Sequence, residues 1–293
     1  GSDRLLVSHV LPFGYAALVS RLLGTRYAIV CHGLDVAGPL ANPWKRFWAG
    51  AVLRHAETVI VNSEATGSVV RLYGVKDEII KTVNPPLSWD PGAVNLDEET
   101  GLAGRLGLRG RRILLVAGRL VGRKGVHVAI GALKTITTRH PETVLLVAGD
   151  GPERGSLEKI AKDRALESSV IFTGRLSDAE FRDAFRAATI VLYPSLDLPN
   201  DLEGFGIGAA DAGIFGKPVV ASRIGGLPEA VQDGETGLLV EPGDPDALAV
   251  AVIRLLEEDG LASKLGEGGR RLALTRTHES FRQRFRDSLL PKT

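Results

Sequence analysis

Short, uniformly apolar runs recur along the chain, each ending in glycine or a polar turn and followed by a helical pattern. RLLVS (4–8), YAIVC (27–31), TVIVN (58–62) and IIKTV (79–83) predict four buried strands in the first third. RILLVA (112–117), TVLLVA (143–148), SVIFT (169–173), TIVLY (189–193), PVVA (218–221) and GLLV (237–240) predict six more. Runs of this kind lack the in–out alternation of half-exposed strands. Set between amphipathic segments such as 125–139 and 178–187, they indicate parallel sheets covered on both faces. The predicted class is α/β, doubly wound.

The pattern breaks between 84 and 111. NPPLSWDPG is proline-rich, and 97–110 is polar and ends in arginines. The reading is therefore two Rossmann-like domains, 1–85 and 111–275, with 86–110 as linker. The closing stretch, 276–293, contains HESFRQRFRDSLL, a further amphipathic helix expected to pack back on the N-terminal domain. Four strands are few for a doubly wound sheet, so that domain reads as incomplete.

Composition narrows the picture. Hydrophobic residues make up 44% and charged residues 24% of 293 positions, which suits a soluble protein with real cores. The net charge of +1 gives no reason to expect a nucleic-acid partner. A single cysteine, Cys31, excludes an internal disulfide and a cysteine zinc cluster, and fits a cytoplasmic setting. No apolar run reaches the roughly 18 residues of a bilayer span, and no signal-peptide pattern is present. The chain has no methionine, so Gly1 reads as a start partway into a longer chain.

Ligands of open parallel sheets bind beyond the carboxyl ends of the strands, so the loops there carry the candidate chemistry. In RILLVAGRLVGRKGVHVAI, Arg119 and Lys124 stand in a glycine-punctuated loop before a helix. Two cations beside the free N–H groups of a helix start suit phosphate, although a plain solvated basic loop stays open on this stretch alone. In GDGPERG the spacing of Gly149, Gly151 and Gly155 is one residue too long for a dinucleotide fingerprint, so a tight turn is the better reading. LEGFGIGAADAG places Glu203 on a glycine turn and Asp211 among alanines, eight positions later. Burying Asp211 is costly unless something polar meets it; exposure, or bonding to neighbouring backbone, is the alternative.

GRLVGRKG, GDGP, EGFG with an acid eight residues on, GKPVVASRIGGLPEAV and DGETGLLVEPGD, in this order, resemble the retaining glycosyltransferases of family 4, group 1. The resemblance implies a GT-B fold, two Rossmann-like domains with the active site in the cleft between them. It implies a nucleotide-diphosphate sugar donor, retention at the anomeric carbon, no metal and no other cofactor. It places Arg119 and Lys124 on the diphosphate and Glu203 near the donor sugar, with the backbone of Gly204, Phe205 and Gly206 closing on it. The family's second acid falls on Asp211, toward the ribose, with an aspartate where the family carries glutamate. In the first domain YAIVCHGLD gives His32 as the family's histidine near the acceptor and the donor sugar; His9 is a weaker candidate.

The front of the chain departs from that family, since no glycine-rich loop follows the first strand. The missing part is expected from a partner chain or from self-association, or to have been lost by truncation. NPWKRFWAGAVLRH places Trp44, Phe47, Trp48 and Ala51 at helical spacing with Lys45, Arg46 and Arg54. Such a helix suits peripheral membrane contact, whereas simple packing on the sheet is the plainer reading; the resemblance implies a glycan or lipid-linked acceptor. Two other functions compete: a catalytically degenerate nucleotide-sugar-binding subunit that needs a partner chain, and a nicotinamide oxidoreductase, which the failed glycine spacing disfavours.

Overall fold

The computed structural model describes residues 4–96 and 101–289. The Gly1-Ser2 start, part of the expected linker (97–100) and the end of the last expected helix lie outside the described residues.

Ten strands form two parallel sheets. β1 (Arg4–Val7), β2 (Arg26–Cys31), β3 (Thr58–Val61) and β4 (Ile80–Thr82) make the first, in order β1-β2-β3-β4. β5 (Arg112–Ala117), β6 (Thr143–Ala148), β7 (Val170–Gly174), β8 (Ile190–Tyr193), β9 (Val219–Ser222) and β10 (Gly237–Val240) make the second, in order β10-β9-β8-β5-β6-β7. Every strand grows from one of the apolar runs; central strands such as β3, β6 and β8 are buried on both faces and leave little room for a polar side chain, whereas the edge strands β1 and β4 are partly exposed.

The chain divides into two compact units. One takes in the chain up to Pro86, Leu198–Gly206 and the chain from His278 on; the other takes in Leu87–Asp197 and Ile207–Thr277.

In the first unit, Tyr27, Ile29, Val52, Leu53 and Val59 form the core between the sheet and its crossover helices. The helix Pro43–His55 starts with Asn42 as cap, its Oδ1 accepting from the amides of Trp44 and Lys45, and proline at the first helical position. Its buried residues are Ala49, Gly50, Val52 and Leu53. Trp44 and Phe47 instead stand 69% and 59% exposed, so the aromatic side of this helix does not pack on the sheet. β1 exposes Leu5 and Leu6, and the helix Gly14–Leu22 exposes Tyr15, Val19 and Leu22. The helix His278–Leu289 lies against β3, with Phe281, Phe285 and Leu289 half-buried along one side.

In the second unit, Leu133, Ile136, Leu145, Ile190 and Val252 belong to one core around β5, β6 and β8. The stretch expected as a free linker belongs to this unit from Leu87 onward. Leu87 is buried, and the Trp89 ring sits about 6 Å from those of Phe181, Phe185 and Phe215. Arg186 donates to the carbonyls of Asn95 and Leu96, and Asp183 accepts from the Leu102 amide. Proline and charge mark the break in helical pattern correctly, but they do not show that Leu87 and Trp89 have an apolar surface to cover. Among the described residues, no helix is long and apolar enough to cross a membrane.

Candidate active site

The order β10-β9-β8-β5-β6-β7 reverses direction between β8 and β5, which makes the carboxyl ends of those two strands the topological switch point of the second sheet. The loop after β5 carries Arg119 and Lys124. The end of β8 carries Tyr193, and all three line one crevice there with Gly118 and Pro194. The Lys124 ammonium stands 5.9 Å from the centre of the Tyr193 ring, within range of a cation–π attraction. Arg119 is exposed and Lys124 partly so, which leaves the basic pair reachable from solvent.

Glycines hold this loop by close backbone packing. Gly125 caps the helix Val126–Arg139 at φ +61°, and a Cβ there would stand 1.8 Å from the Pro194 carbonyl oxygen. The GDG turn lies against the basic loop: the Leu120 amide donates to the Asp150 carbonyl at 3.0 Å, and a Cβ on Gly149 would meet the Gly118 oxygen at 1.9 Å. These glycines serve a tight turn under Arg119.

Asp211 ends the helix Ile207–Asp211 and is 1% exposed. Its Oδ1 accepts from the Ser88 amide at 2.9 Å and its Oδ2 from the Ser88 hydroxyl at 2.6 Å. The polar group expected to meet the buried acid therefore comes from far away in the chain, and neither solvent nor neighbouring backbone is involved. Burial raises the Asp211 carboxyl to about 6, against the lowering effect of the two Ser88 hydrogen bonds. Gly208, earlier in the same helix, packs under the Tyr193 hydroxyl, which lies 2.0 Å from the position of a Cβ.

In the first unit, His32 follows β2 and is exposed. Its amide donates to Asp35 Oδ1 at 2.7 Å, and its carbonyl accepts from Asn62 Nδ2 at 3.1 Å. Asn62 Oδ1 in turn accepts from the Thr66 hydroxyl. The aspartate of HGLD thus serves to pin the histidine backbone. Its Oδ2 is buried and finds no hydrogen-bond partner among the described residues. Burial raises the Asp35 carboxyl, opposed by the His32 amide and by the imidazoles of His32 and His9. The rings of His9 and His32 lie 5.4 Å apart, so the two histidines of the strand ends do come together.

Glu203, Gly204, Phe205 and Gly206 fold with this unit. Glu203 and Phe205 are buried, at 6% and 2% exposed. A Cβ on Gly204 would lie 2.3 Å from the His32 oxygen, and one on Gly33, at φ +104°, 2.9 Å from the Gly204 Cα. The glycine of EGFG is required first by its own backbone neighbours. Of the expected site residues, the structure groups His32 with Gly204 in one unit and Arg119 with Lys124 in the other. Tyr193, Ser88 and Asn62 were not singled out from the sequence; TIVLYPS and TVIVN carried Tyr193 and Asn62 only as strand ends, and NPPLSW carried Ser88 only as linker. Among the described residues, no three His, Cys, Asp or Glu side chains are grouped to hold a metal ion.

Residues 104–272 match the family of glycosyl transferases group 1, and residues 3–88 match glycosyltransferase family 4. The chain is 35% identical over 266 residues to the GDP-mannose-dependent alpha-(1-6)-phosphatidylinositol monomannoside mannosyltransferase of Mycolicibacterium smegmatis, covering 90% of this chain and 69% of that protein. It is 33% identical over 246 residues to the D-inositol 3-phosphate glycosyltransferase of Acidothermus cellulolyticus, covering 79% of this chain and 52% of that one. Among solved structures, HepE from Anabaena in complex with UDP aligns with a TM-score of 0.84 at 22% identity, over 97% of this chain and 78% of that chain. The sucrose-phosphate synthase of Thermosynechococcus elongatus aligns at 0.81 and 26% identity, over 97% and 72%. The chain thus spans about two thirds of one of these curated relatives and about half of the other. With its two parallel-sheet units of GT-B type and these matches along most of its length, the chain belongs to the group 1 glycosyl transferases.

Proposed function

We propose that this glycosyltransferase moves a sugar from a nucleotide-diphosphate donor to a hydroxyl of a glycan or lipid-linked acceptor, retaining the anomeric configuration and using no metal ion. The observation that carries the reading is the convergence of Arg119 and Lys124 on one crevice at the switch point of the second sheet. There the guanidinium grips two phosphate oxygens and the ammonium acts as a point charge, so the charge on the departing diphosphate is met by fixed cations. The donor sugar is assigned to Glu203 and the backbone of Gly204, Phe205 and Gly206, and the acceptor to His32. Asp211 marks the ribose side of the donor.

The relatives support a sugar donor of this class, one being named for GDP-mannose dependence and one fold neighbour having been solved with UDP. They do not favour a non-catalytic subunit, since the curated ones are named as transferases. The exposed Trp44 and Phe47, with Lys45 and Arg46 between them, support a lipid-linked acceptor at a membrane surface.

The test is a thermal-shift screen of UDP-, GDP- and ADP-sugars. A ligand at 100 times its Kd stabilises the folded state by about 2.7 kcal/mol, a readily measured rise in melting point. The donor that shifts the protein is then carried to a product assay with and without EDTA, and the anomer is read by NMR. If no nucleotide sugar shifts the melting point at millimolar concentration, the donor-site reading fails.

A further inference from the structure

We propose that the group this chain offers to the donor's ribose is the hydroxyl of Ser88, held in place by Asp211, and that Asp211 itself does not touch the nucleotide. The inference rests on the reading of the second unit as the nucleotide-sugar carrier.

Each oxygen of Asp211 already accepts from Ser88, one from the amide at 2.9 Å and the other from the hydroxyl at 2.6 Å. The acid is 1% exposed, whereas Ser88 is exposed. A ligand arriving at this place therefore meets the serine before the carboxylate. The Ser88 Oγ–H is spent on Asp211, but the oxygen keeps lone pairs that can accept from a ribose hydroxyl. A buried carboxylate behind it polarises the O–H and strengthens that acceptor, as in any chain of hydrogen bonds ending on a charge.

Reach points the same way. An aspartate at 211 withdraws its carboxylate by about 1.5 Å, one C–C bond, relative to a glutamate. Ser88 Oγ stands 2.6 Å from that carboxylate, on a residue that is exposed where Asp211 is not. The place is also right. Asp211 lies three residues, about 4.5 Å of helix rise, after Gly208. Gly208 packs under the hydroxyl of Tyr193, whose ring faces Lys124. The serine is fixed from both sides, by the buried Leu87 and by Trp89 in its aromatic cluster, so its hydroxyl is placed before any ligand arrives.

The test is calorimetric binding of UDP, GDP and ADP, with their 2′-deoxy and 3′-deoxy counterparts, to the full chain and to its Ser88→Ala and Asp211→Asn variants. Ser88→Ala keeps the backbone amide that Asp211 accepts from, and its urea midpoint is recorded alongside. The intact chain is expected to bind one ribonucleotide about tenfold more tightly than a deoxy counterpart, the worth of one good hydrogen bond. Ser88→Ala is expected to bring that ratio down to about twofold or less and to leave the Kd of that deoxy nucleotide unchanged; a merely structural role would weaken both alike. Asp211→Asn should reduce the ratio as well, by freeing the serine. The inference is overturned if Ser88→Ala keeps the preference, above all if Asp211→Asn alone abolishes it, or if the intact chain shows no preference. If the intact chain binds none of these nucleotides, the donor-site reading falls and this inference with it.

Discussion

The carbonyl oxygen of His32 stands 2.3 Å from where a Cβ on Gly204 would lie, and Asn62 Nδ2 stands 2.7 Å from it. Two loops from distant parts of the chain thus touch backbone to backbone. Gly204→Ala forces them apart and is expected to cost about 1–3 kcal/mol, the usual range for overpacking. Because the displaced group belongs to His32, transferase activity should fall along with the urea midpoint. A variant with the original midpoint would show that the loop yields freely.

Removing either cation of the β5 loop should act on chemistry and leave stability nearly intact. Lys124→Ala and Arg119→Ala are each expected to lower kcat/KM by roughly 100- to 1,000-fold, the scale seen for one preorganised donor at a developing charge. Lys124→Arg restores charge but not shape at the face of Tyr193, so it should recover only part of the loss. Steady-state kinetics beside a melting curve separates the two effects. An active double variant would remove the diphosphate from this crevice.

Asp211 should make stability depend on pH in an unusual direction. Its carboxyl is raised from 3.8 to about 6, so the folded chain binds that proton more tightly than the unfolded chain does. The stabilisation is complete below about 3.8 and is lost as pH rises through about 6. Asp211→Asn has no proton to lose. The stability of the natural chain minus that of the variant should therefore fall by about 3 kcal/mol on going from acid to neutral pH. Urea titrations at several pH values read this directly; a flat difference would mean that Asp211 ionises at no cost.

Strands and loops were legible in the sequence to different depths. All ten strands announced themselves as apolar runs, most plainly the central ones that are buried on both faces, such as β3, β6 and β8. Arg119 and Lys124 stood out as charge in a glycine loop at a strand end, but that stretch alone left a solvated basic loop open, and only the family resemblance pointed them at a diphosphate. The partners of Asp211 and His32 were not legible. Ser88 lies 123 positions from Asp211, and nothing local to either residue encodes the pairing. Asp35 was visible as part of HGLD, yet its work is done on the His32 amide, a backbone group that leaves no mark on composition.

Trp89 should be worth more to the second unit than its place in a proline-rich stretch suggests. It packs on Phe181, Phe185 and Phe215, of which Phe185 is fully buried. Trp89→Ala is expected to cost about 3 kcal/mol, at the lower end for a large aromatic because the ring is only half-buried. Chemical denaturation would reveal it; an unchanged midpoint would return this stretch to the status of a loose tether.

The exposed aromatic side of the helix Pro43–His55 makes a separate prediction. Sedimentation with anionic vesicles should capture the natural chain, and Trp44→Ser with Phe47→Ser should weaken capture at least tenfold, two large apolar contacts being lost. Equal capture of both proteins would detach the lipid-linked acceptor from this surface.

The two folding units are woven from one chain rather than strung along it. Residues 198–206 and the final helix are folded with the first sheet although they follow most of the second in sequence. A chimera that joined residues 1–86 of one glycosyltransferase to everything after them in another would carry EGFG and the last helix as guests on a foreign sheet. Exchange of donor or acceptor preference by recombination therefore needs at least four junctions, near 86, 197, 206 and 277. A single crossover in the proline-rich stretch transplants Ser88 with its carboxylate, but separates Gly204 from His32.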